Sequence, residues 1–248
     1  MKILVCISSV PDTTSKINFT ADKSAFDKTG IQWVINPLDE FALTKAVKLQ
    51  ESQGATVTVV NVGETAAEPV IRKALAIGAN DAVRVNADPK DSFSVAKEIA
   101  HIAQNGGYDL ILCGKESIDY NGGAVPGMVA QLLNQPFVNA CVGLEVNGSE
   151  VQAVREIEGG KETISVKLPA VIAGQKGMVD EKDLIIPNMR GIMSARTKPL
   201  QVQEPVATEV RVEGVSYDSV PARAAVKMVS ADNIDELVRL LHEEAKVI

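Results

Sequence analysis

The chain has 248 residues, of which 46% are hydrophobic, 23% are charged and 4% are aromatic, and its formal net charge is −7. This apolar content is enough for a sizeable core and excludes a disordered chain. The negative charge and the few aromatic residues argue against a nucleic-acid partner, because phosphate backbones attract basic surfaces and unpaired bases stack on aromatic rings.

The sequence contains no sign of a membrane or export segment. No apolar run approaches the length of a membrane span, so we expect no direct membrane insertion. The first residues, MKILVCISSVPD, favour a strand over a signal peptide, since the apolar run is short and Pro11 and Asp12 follow it. Cys6, Cys113 and Cys141 lack CxxC spacing, and we expect reduced thiols in a cytoplasmic protein rather than a metal site.

Apolar segments and segments of helical periodicity alternate along the first half of the chain. The predicted strands cover residues 2–7, 56–62, 81–86 and 108–113. The predicted helices cover residues 36–53, 64–77, 92–104 and 126–133, and a polar stretch at 11–30 precedes the first of them. The alternation predicts an α/β fold, a doubly wound and mostly parallel sheet of the Rossmann-like kind.

The second half of the chain has a different pattern. Strands are predicted at 140–146 and 150–156 with the turn Asn147-Gly148 between them, then at 163–167 and 169–173, which together indicate a β-hairpin extension. Regular patterning is lost from 174 to 205, and 202–225 is predicted to be an extended linker. A capped amphipathic helix is predicted at 233–245 and completes a C-terminal arm.

Several predicted loops meet at one edge of this sheet. In doubly wound sheets, ligands bind beyond the carboxyl ends of the strands, where the strand order reverses. The loops at 8–12, 61–64 and 114–125 follow predicted strands, and the helix start at 36–39 lies at the same edge. We therefore expect the ligand site there.

The loop GKESIDYNGGAVPGM at 114–128 has the strongest functional signal. Gly122 and Gly123 allow close approach of the backbone to a ligand, Asp119 could accept hydrogen bonds from a ribose, and the following helix N-terminus suits a phosphate. A structural turn without a ligand explains the glycines equally well. Lys115 is not followed by Ser or Thr, there is no GxSxG motif, and no acid, base and nucleophile assemble, so the residues indicate a nucleotide-binding domain without catalytic groups.

Several motifs resemble one family. The stretch AVREIEGGKETI at 153–164, followed by LPAVIA at 168–173, resembles the signature of the electron transfer flavoprotein beta subunit. Further similar stretches are VPD at 10–12, INPLDEFAL at 35–43, IRKALAIGAND at 71–81, YDLILCGKESID at 108–119 and GIMSARTKPL at 191–200.

The resemblance implies a heterodimer in which the alpha subunit holds the redox-active FAD and the beta subunit holds a structural AMP. Such a pair carries electrons from acyl-CoA dehydrogenases to a membrane quinone oxidoreductase, and its beta chain is not itself an enzyme. The AMP site would then be formed by Cys6, Asn36, Pro37, Leu38, Asp39, Val62, Gly114, Lys115, Asp119, Asn121, Gly122, Gly123, Ala124 and Val125.

The resemblance also implies surfaces for partner proteins. A recognition loop around 179–196 would dock dehydrogenases through an exposed apolar anchor at Met189, beside Arg190 and Ile192. Arg155 and Glu156 would lie at the subunit interface near the FAD, although a salt-bridged hairpin explains them equally well. The implied organisation is a nucleotide-binding domain with its hairpin at 1–178, the recognition loop at 179–200, and a linker and helix docking on the alpha subunit at 201–248.

Two alternatives remain open. Electron-bifurcating members of the family hold a second FAD in the beta subunit, and VPDT at 10–13 resembles them, but their Thr-Ala-Gln-Val run is absent from the Gly-rich loop, which favours AMP. A stand-alone nucleotide-binding domain of the universal-stress type has a similar topology. It would be complete near residue 140 and leaves the motif at 155–173 unexplained.

Overall fold

A computed structural model of the chain describes residues 1–206, 209–223 and 225–248. Eleven strands are present in this described part of the chain: β1 (Lys2–Cys6), β2 (Ser9–Pro11), β3 (Trp33–Ile35), β4 (Thr56–Val62), β5 (Asp81–Val85), β6 (Leu110–Gly114), β7 (Phe137–Asn147), β8 (Glu150–Ile157), β9 (Gly160–Lys167), β10 (Ala170–Gly174) and β11 (Leu200–Gln203). The α-helices are α1 (Pro37–Gln53), α2 (Glu68–Ile77), α3 (Ser92–Gly106), α4 (Val125–Leu133), α5 (Met189–Ala195) and α6 (Ile234–Arg239).

Nine of the strands form one sheet in the order β11-β5-β4-β1-β6-β10-β7-β8-β9. Neighbouring strands are parallel from β11 to β7, and the hairpin β7-β8-β9 is antiparallel. Strand β1 lies between β4 and β6, because the chain first runs outwards through β4 and β5 and then returns to the other side of β1. The point of reversal is therefore at the carboxyl ends of β1 and β6, where the doubly wound class binds its ligands.

The sheet is covered by helices on both faces, as a doubly wound fold requires. On one face, α1 and α2 bury residues such as Leu43 and Ile71 against the sheet. On the other face, α3 and α4 bury Ile99 and Val129. The central strands are consequently enclosed on both sides and are apolar throughout, which is why they read as continuous hydrophobic runs in the sequence.

The predicted elements of the first half are confirmed, several of them with the same bounds. Strand β4 covers the predicted residues, and α1 begins after Asn36 with Pro37 in its first turn. This helix ends at Gly54, whose φ of 66° and ψ of 29° lie in the left-handed region that a residue without a Cβ adopts at little cost. The hairpin extension is confirmed as well, with β7 beginning earlier than predicted.

The segment predicted to be irregular, 174–205, is more ordered than expected. It contains the short helix α5, which packs on α2 so closely that a Cβ at Gly191 would lie 2.5 Å from the carbonyl oxygen of Ala76. It also contains β11, which pairs in parallel with β5 and extends the main sheet. The prediction that an extended linker begins at 202 was therefore wrong, because Val202 and Gln203 belong to this strand.

Beyond β11, the described residues of the C-terminal arm have no regular helix or strand before α6, which continues into a π-helical turn at Leu240–Ala245. The predicted helix thus exists, with a change of hydrogen-bond pattern near its middle. None of the helices in the described ranges is both long and apolar enough to cross a membrane.

Candidate functional site

The predicted nucleotide-site residues meet at the carboxyl edge, by which we mean the edge of the sheet where β1, β4, β5, β6 and β10 end. Cys6, Val62 and Gly114 are the last residues of β1, β4 and β6. The other predicted residues are the N-cap and first turn of α1 (Asn36, Pro37, Leu38 and Asp39) and the loop between β6 and α4 (Lys115, Asp119, Asn121, Gly122, Gly123 and Ala124, with Val125 opening the helix).

Asp39 joins the ends of the two central strands. Its Oδ2 accepts the N–H of Ser8, just after β1, at 2.7 Å, and its Oδ1 accepts the N–H of Gly114, at the end of β6, at 2.9 Å. The side chain is buried, and burial raises the pKa of the Asp39 carboxyl to about 7 against the opposite effect of these hydrogen bonds. Asp39 therefore links the first turn of α1 to the ends of β1 and β6.

Asn36 ties the Gly-rich loop to the start of α1. Its Nδ2 donates to the carbonyl of Glu116 at 2.9 Å, and its Oδ1 accepts the N–H of Ile118 at 3.2 Å. Its own N–H donates to the carbonyl of Ser8 at 3.0 Å. The buried side chain makes no capping hydrogen bond to its own helix, so both ends of its amide serve the loop.

The ends of β1 and β4 are joined by a second amide. Asn61 Nδ2 donates to the carbonyl of Ile7 at 2.9 Å, and a Cβ at Gly63 would lie only 2.7 Å from Asn61 Oδ1. Cys6 lies beside Cys113 of β6, and their hydrogen bond together with burial raises the pKa of the Cys6 thiol well above its usual value. A protonated, buried thiol is a packing group and not a nucleophile.

The Gly-rich loop is held at its start and closes on itself. Lys115 N–H donates to the carbonyl of Gly174, the end of β10, at 2.7 Å, and Ser117 N–H donates to the carbonyl of Gly122 at 3.1 Å. Asn121 takes a positive φ of 50°, a conformation that Asn tolerates better than most residues. These contacts fold residues 117–122 into a compact turn that leads to Gly123.

Helix α4 begins without a side-chain cap. Ala124 occupies its N-cap position, no side chain hydrogen-bonds there, and Pro126 lies in the first turn. The first N–H groups of a helix have no partner within the helix, and the positive end of the helix dipole lies at the same place. Asp119 does not fill this end, since its Oδ1 accepts the adjacent N–H of Tyr120 at 2.9 Å. The end of the loop therefore suits an anionic group.

Sequence reasoning missed three residues that shape this edge. Ser8 and Gly174 act through their backbones, which carry no signal of function in the sequence. Ser8 and Asn61 were included in the loop ranges 8–12 and 61–64 but were not singled out. An amide at the end of an otherwise apolar strand is the signal that could have identified Asn61.

A second surface surrounds α5, where an irregular recognition loop was predicted. Met189 is 73% exposed, and Arg190 and Ile192 are exposed on the same short helix. The structure adds Ile186, which is 85% exposed, and Met193 to this apolar surface. Exposed large apolar side chains so close together are typical of a protein-docking surface.

Arg155 and Glu156 lie on β8 and already have partners within the chain. The Nε of Arg155 is 2.5 Å from Glu162 Oε1 on β9, and the carboxylate of Glu156 accepts a hydrogen bond from the side chain of Gln175. The salt-bridged hairpin considered above is therefore present. Within the residues described, no group of three or more His, Cys, Asp and Glu side chains is arranged to hold a metal ion.

This arrangement defines the class of the protein: a Rossmann-like, doubly wound α/β protein with a Gly-rich loop and an uncapped helix at its switch point. A family model described as electron transfer flavoprotein domain matches residues 24–208. The chain is 34% identical to the electron transfer flavoprotein subunit beta of Bacillus subtilis over the full length of both chains. The chain belongs to the electron transfer flavoprotein family, as a beta subunit.

Two eukaryotic relatives match over a similar extent. The mitochondrial electron transfer flavoprotein subunit beta of Oryza sativa subsp. japonica is 33% identical over the whole of both chains. The electron transfer flavoprotein subunit beta of Homo sapiens is 29% identical over all of this chain and 99% of its own length. The family predicted from the sequence motifs is thus confirmed, and the similarity extends through the C-terminal arm.

Proposed function

We propose that this chain binds AMP at the carboxyl edge and forms a heterodimer with an electron transfer flavoprotein alpha subunit. The observation that carries the AMP site is the uncapped N-terminus of α4, which adjoins the Gly-rich loop at the point of strand reversal. Membership of the family supports the partner subunit and a flavin in the complex.

Each part of the edge suits a different part of a mononucleotide. The N–H groups of Gly123, Ala124 and Val125 would bind the phosphate, since they lie at the positive end of α4. Asp119 and Asn121 offer polar groups for the ribose. The apolar groups at this edge, Cys6, Pro37, Leu38 and Val62, would contact the base. Lys115 adds a positive charge to the loop.

The glycines of the loop are compatible with this fit. A Cβ at Gly123 would lie 3.3 Å from the carbonyl oxygen of Lys115, and one at Gly122 would lie 3.6 Å from Ser117 Oγ. Of the two positions, only that of Gly123 is too tight for a Cβ without a shift of its neighbour, and the lack of a side chain there lets the backbone come close to a ligand. In this proposal, Asn36 and Asp39 act by positioning the loops rather than by direct contact.

The second candidate for this edge is an FAD, as in bifurcating members of the family. The sequence VPDT at 10–13 supports it, whereas Ala124, Val125 and Pro126 lack the loop residues expected for it. Nucleotides extracted from the co-expressed heterodimer distinguish the two candidates. AMP and FAD in equal amounts fit the first, and FAD alone fits the second.

We further propose that the heterodimer carries electrons from acyl-CoA dehydrogenase-type donors to a quinone oxidoreductase. The FAD of the complex supplies the electron-accepting group and would be held mainly by the alpha subunit, so this chain is a carrier subunit and not an enzyme. Met189, Arg190 and Ile192 would dock the donor, which their exposure supports.

Two finer assignments complete the proposal. Arg155 and Glu156 would lie at the interface with the alpha subunit while keeping their contacts to Glu162 and Gln175. A cytoplasmic location agrees with three buried cysteines in their free form.

The proposed activity is tested by mixing the purified heterodimer with a reduced acyl-CoA dehydrogenase. Reduction of the heterodimer's flavin, seen as a loss of its absorbance, is the expected result. A flavin that stays oxidised contradicts the proposed role as an electron carrier.

A further inference from the structure

Residues 209–218 of the C-terminal arm, which we call the strap, lie against the body of their own chain. The first anchor is at the start of α3. There Asp91 Oδ2 accepts the N–H of Arg211 at 2.7 Å and that of Val212 at 3.1 Å. The Arg211 guanidinium lies 3.6 Å from the centre of the Phe93 ring, a cation–π contact.

The second anchor is in the loop between β2 and β3. Tyr217 N–H donates to the carbonyl of Lys23 at 2.9 Å, and the Tyr217 ring stacks on Phe19 with 5.3 Å between ring centres. Lys23 Nζ also lies 2.5 Å from the carboxylate of Asp218. Hydrogen bond, ring stack and ion pair together fix this end of the strap.

The two anchors lie on either side of the carboxyl end of β4. Helix α3 follows β5, whereas the loop containing Phe19 follows β1 and β2, and β4 lies between β5 and β1 in the sheet. Two strand spacings amount to about 10 Å, and the six residues from Arg211 to Tyr217 reach about 20 Å when extended. The strap is thus long enough to pass over the carboxyl ends of β4 and β1.

We propose that the strap closes the carboxyl edge over the bound nucleotide and slows its release. A nucleotide whose base lies at the ends of β4 and β1 would then leave only after at least one anchor detaches, because the strap would pass over those strand ends between the anchors. The inference rests on the AMP site proposed above. It assigns to this part of the arm a role within its own chain, in addition to any contact with the alpha subunit.

The test measures nucleotide release from the complete heterodimer. The complex is loaded with radiolabelled AMP and diluted into excess unlabelled AMP, and the loss of label is followed. The double variant Arg211→Ala/Tyr217→Ala removes the cation–π contact and the ring stack and should release AMP about tenfold faster. Val215→Ala is the matched control, because this side chain is 89% exposed within the same strap and should leave the rate unchanged.

A variant of Phe19, the ring on which Tyr217 stacks, tests the second anchor without changing the sequence of the strap. Phe19→Leu weakens the second anchor without changing the strap, and it should also speed release. Wild-type rates in both variants overturn the strap and leave the AMP site intact. A wild-type heterodimer that retains no AMP overturns the AMP site itself. Faster release accompanied by loss of FAD also overturns the strap, since the contacts would then hold the subunits together.

Discussion

Asp39 Oδ1 accepts the backbone N–H of Gly114 at 2.9 Å, and this contact joins the first turn of α1 to the end of β6. The other oxygen of the same carboxylate accepts the N–H of Ser8 at 2.7 Å. A single buried side chain therefore sets the distance between the two strand ends that flank the point of reversal. The shape of the proposed nucleotide site depends on this contact.

Gly114→Ala should destabilise the protein, because the new Cβ would lie 2.3 Å from Asp39 Oδ1 and 3.0 Å from the backbone nitrogen of Asp39. Overpacking of this kind costs about 1–3 kcal/mol, which urea unfolding of the heterodimer measures. Gly160→Ala is the control, since no atom lies within 4 Å of the corresponding Cβ. Equal stability of Gly114→Ala and Gly160→Ala would show that the approach of Asp39 is not tight.

The contribution of Asp39 to stability should depend on pH. Its pKa is raised by burial to about 7 in the folded protein from its ordinary value of 3.8, so the folded state binds this proton more tightly than the unfolded state. The stabilisation is complete below about pH 4 and is lost as the pH rises through about 7. Wild type should therefore lose more stability than Asp39→Asn between about pH 5 and pH 8. Parallel unfolding curves for the two proteins in that range would contradict the shift.

Asn36→Ala should loosen the Gly-rich loop without removing a cap from α1. The variant leaves the carbonyl of Glu116 and the N–H of Ile118 without their partner, which costs about 1–3 kcal/mol of stability. AMP release from the heterodimer should also become faster. Asn105→Ala, on the exposed end of α3, is the control. Reduced stability with unchanged AMP release would separate Asn36 from the nucleotide site.

Most of the fold could be predicted because its central strands are buried on both faces and its helices begin and end at clear signals. Pro37 and Gly54 delimit α1, and the β-branched run of β4 has no competing helical pattern. The convergence of the loops followed from the alternation of strands and helices alone, because parallel strands place their carboxyl ends at one edge. Which backbone atoms hold the loops in position did not follow from the pattern.

The elements that the sequence did not predict depend on contacts distant in the chain. Strand β11 is a strand because β5 offers it a free edge, and α5 is too short to be stable alone. Helix α5 packs on α2 through the close approach of Gly191 to the carbonyl of Ala76. Strands β2 and β3 have three residues each, too few for a recognisable alternation. The course of the strap likewise depends on Asp91 and Phe19, far from it in sequence.

Met189→Ala should slow electron transfer from an acyl-CoA dehydrogenase while the flavin content of the heterodimer stays unchanged. An exposed apolar anchor at the centre of a docking surface contributes about 2 kcal/mol or more, so the apparent KM for the dehydrogenase should rise at least tenfold. Met228→Ala is the control, because Met228 on the C-terminal arm is an even more exposed methionine. Identical kinetics for the two variants would remove Met189 from the docking surface.

The nucleotide content of the heterodimer tests the central claim most directly. The chain is co-expressed with its alpha subunit, the purified complex is denatured, and the released nucleotides are separated and quantified. Binding of AMP at the carboxyl edge of this chain predicts one AMP and one FAD per heterodimer, with the AMP lost in Asn36→Ala before the FAD. Two FAD and no AMP per heterodimer would contradict it.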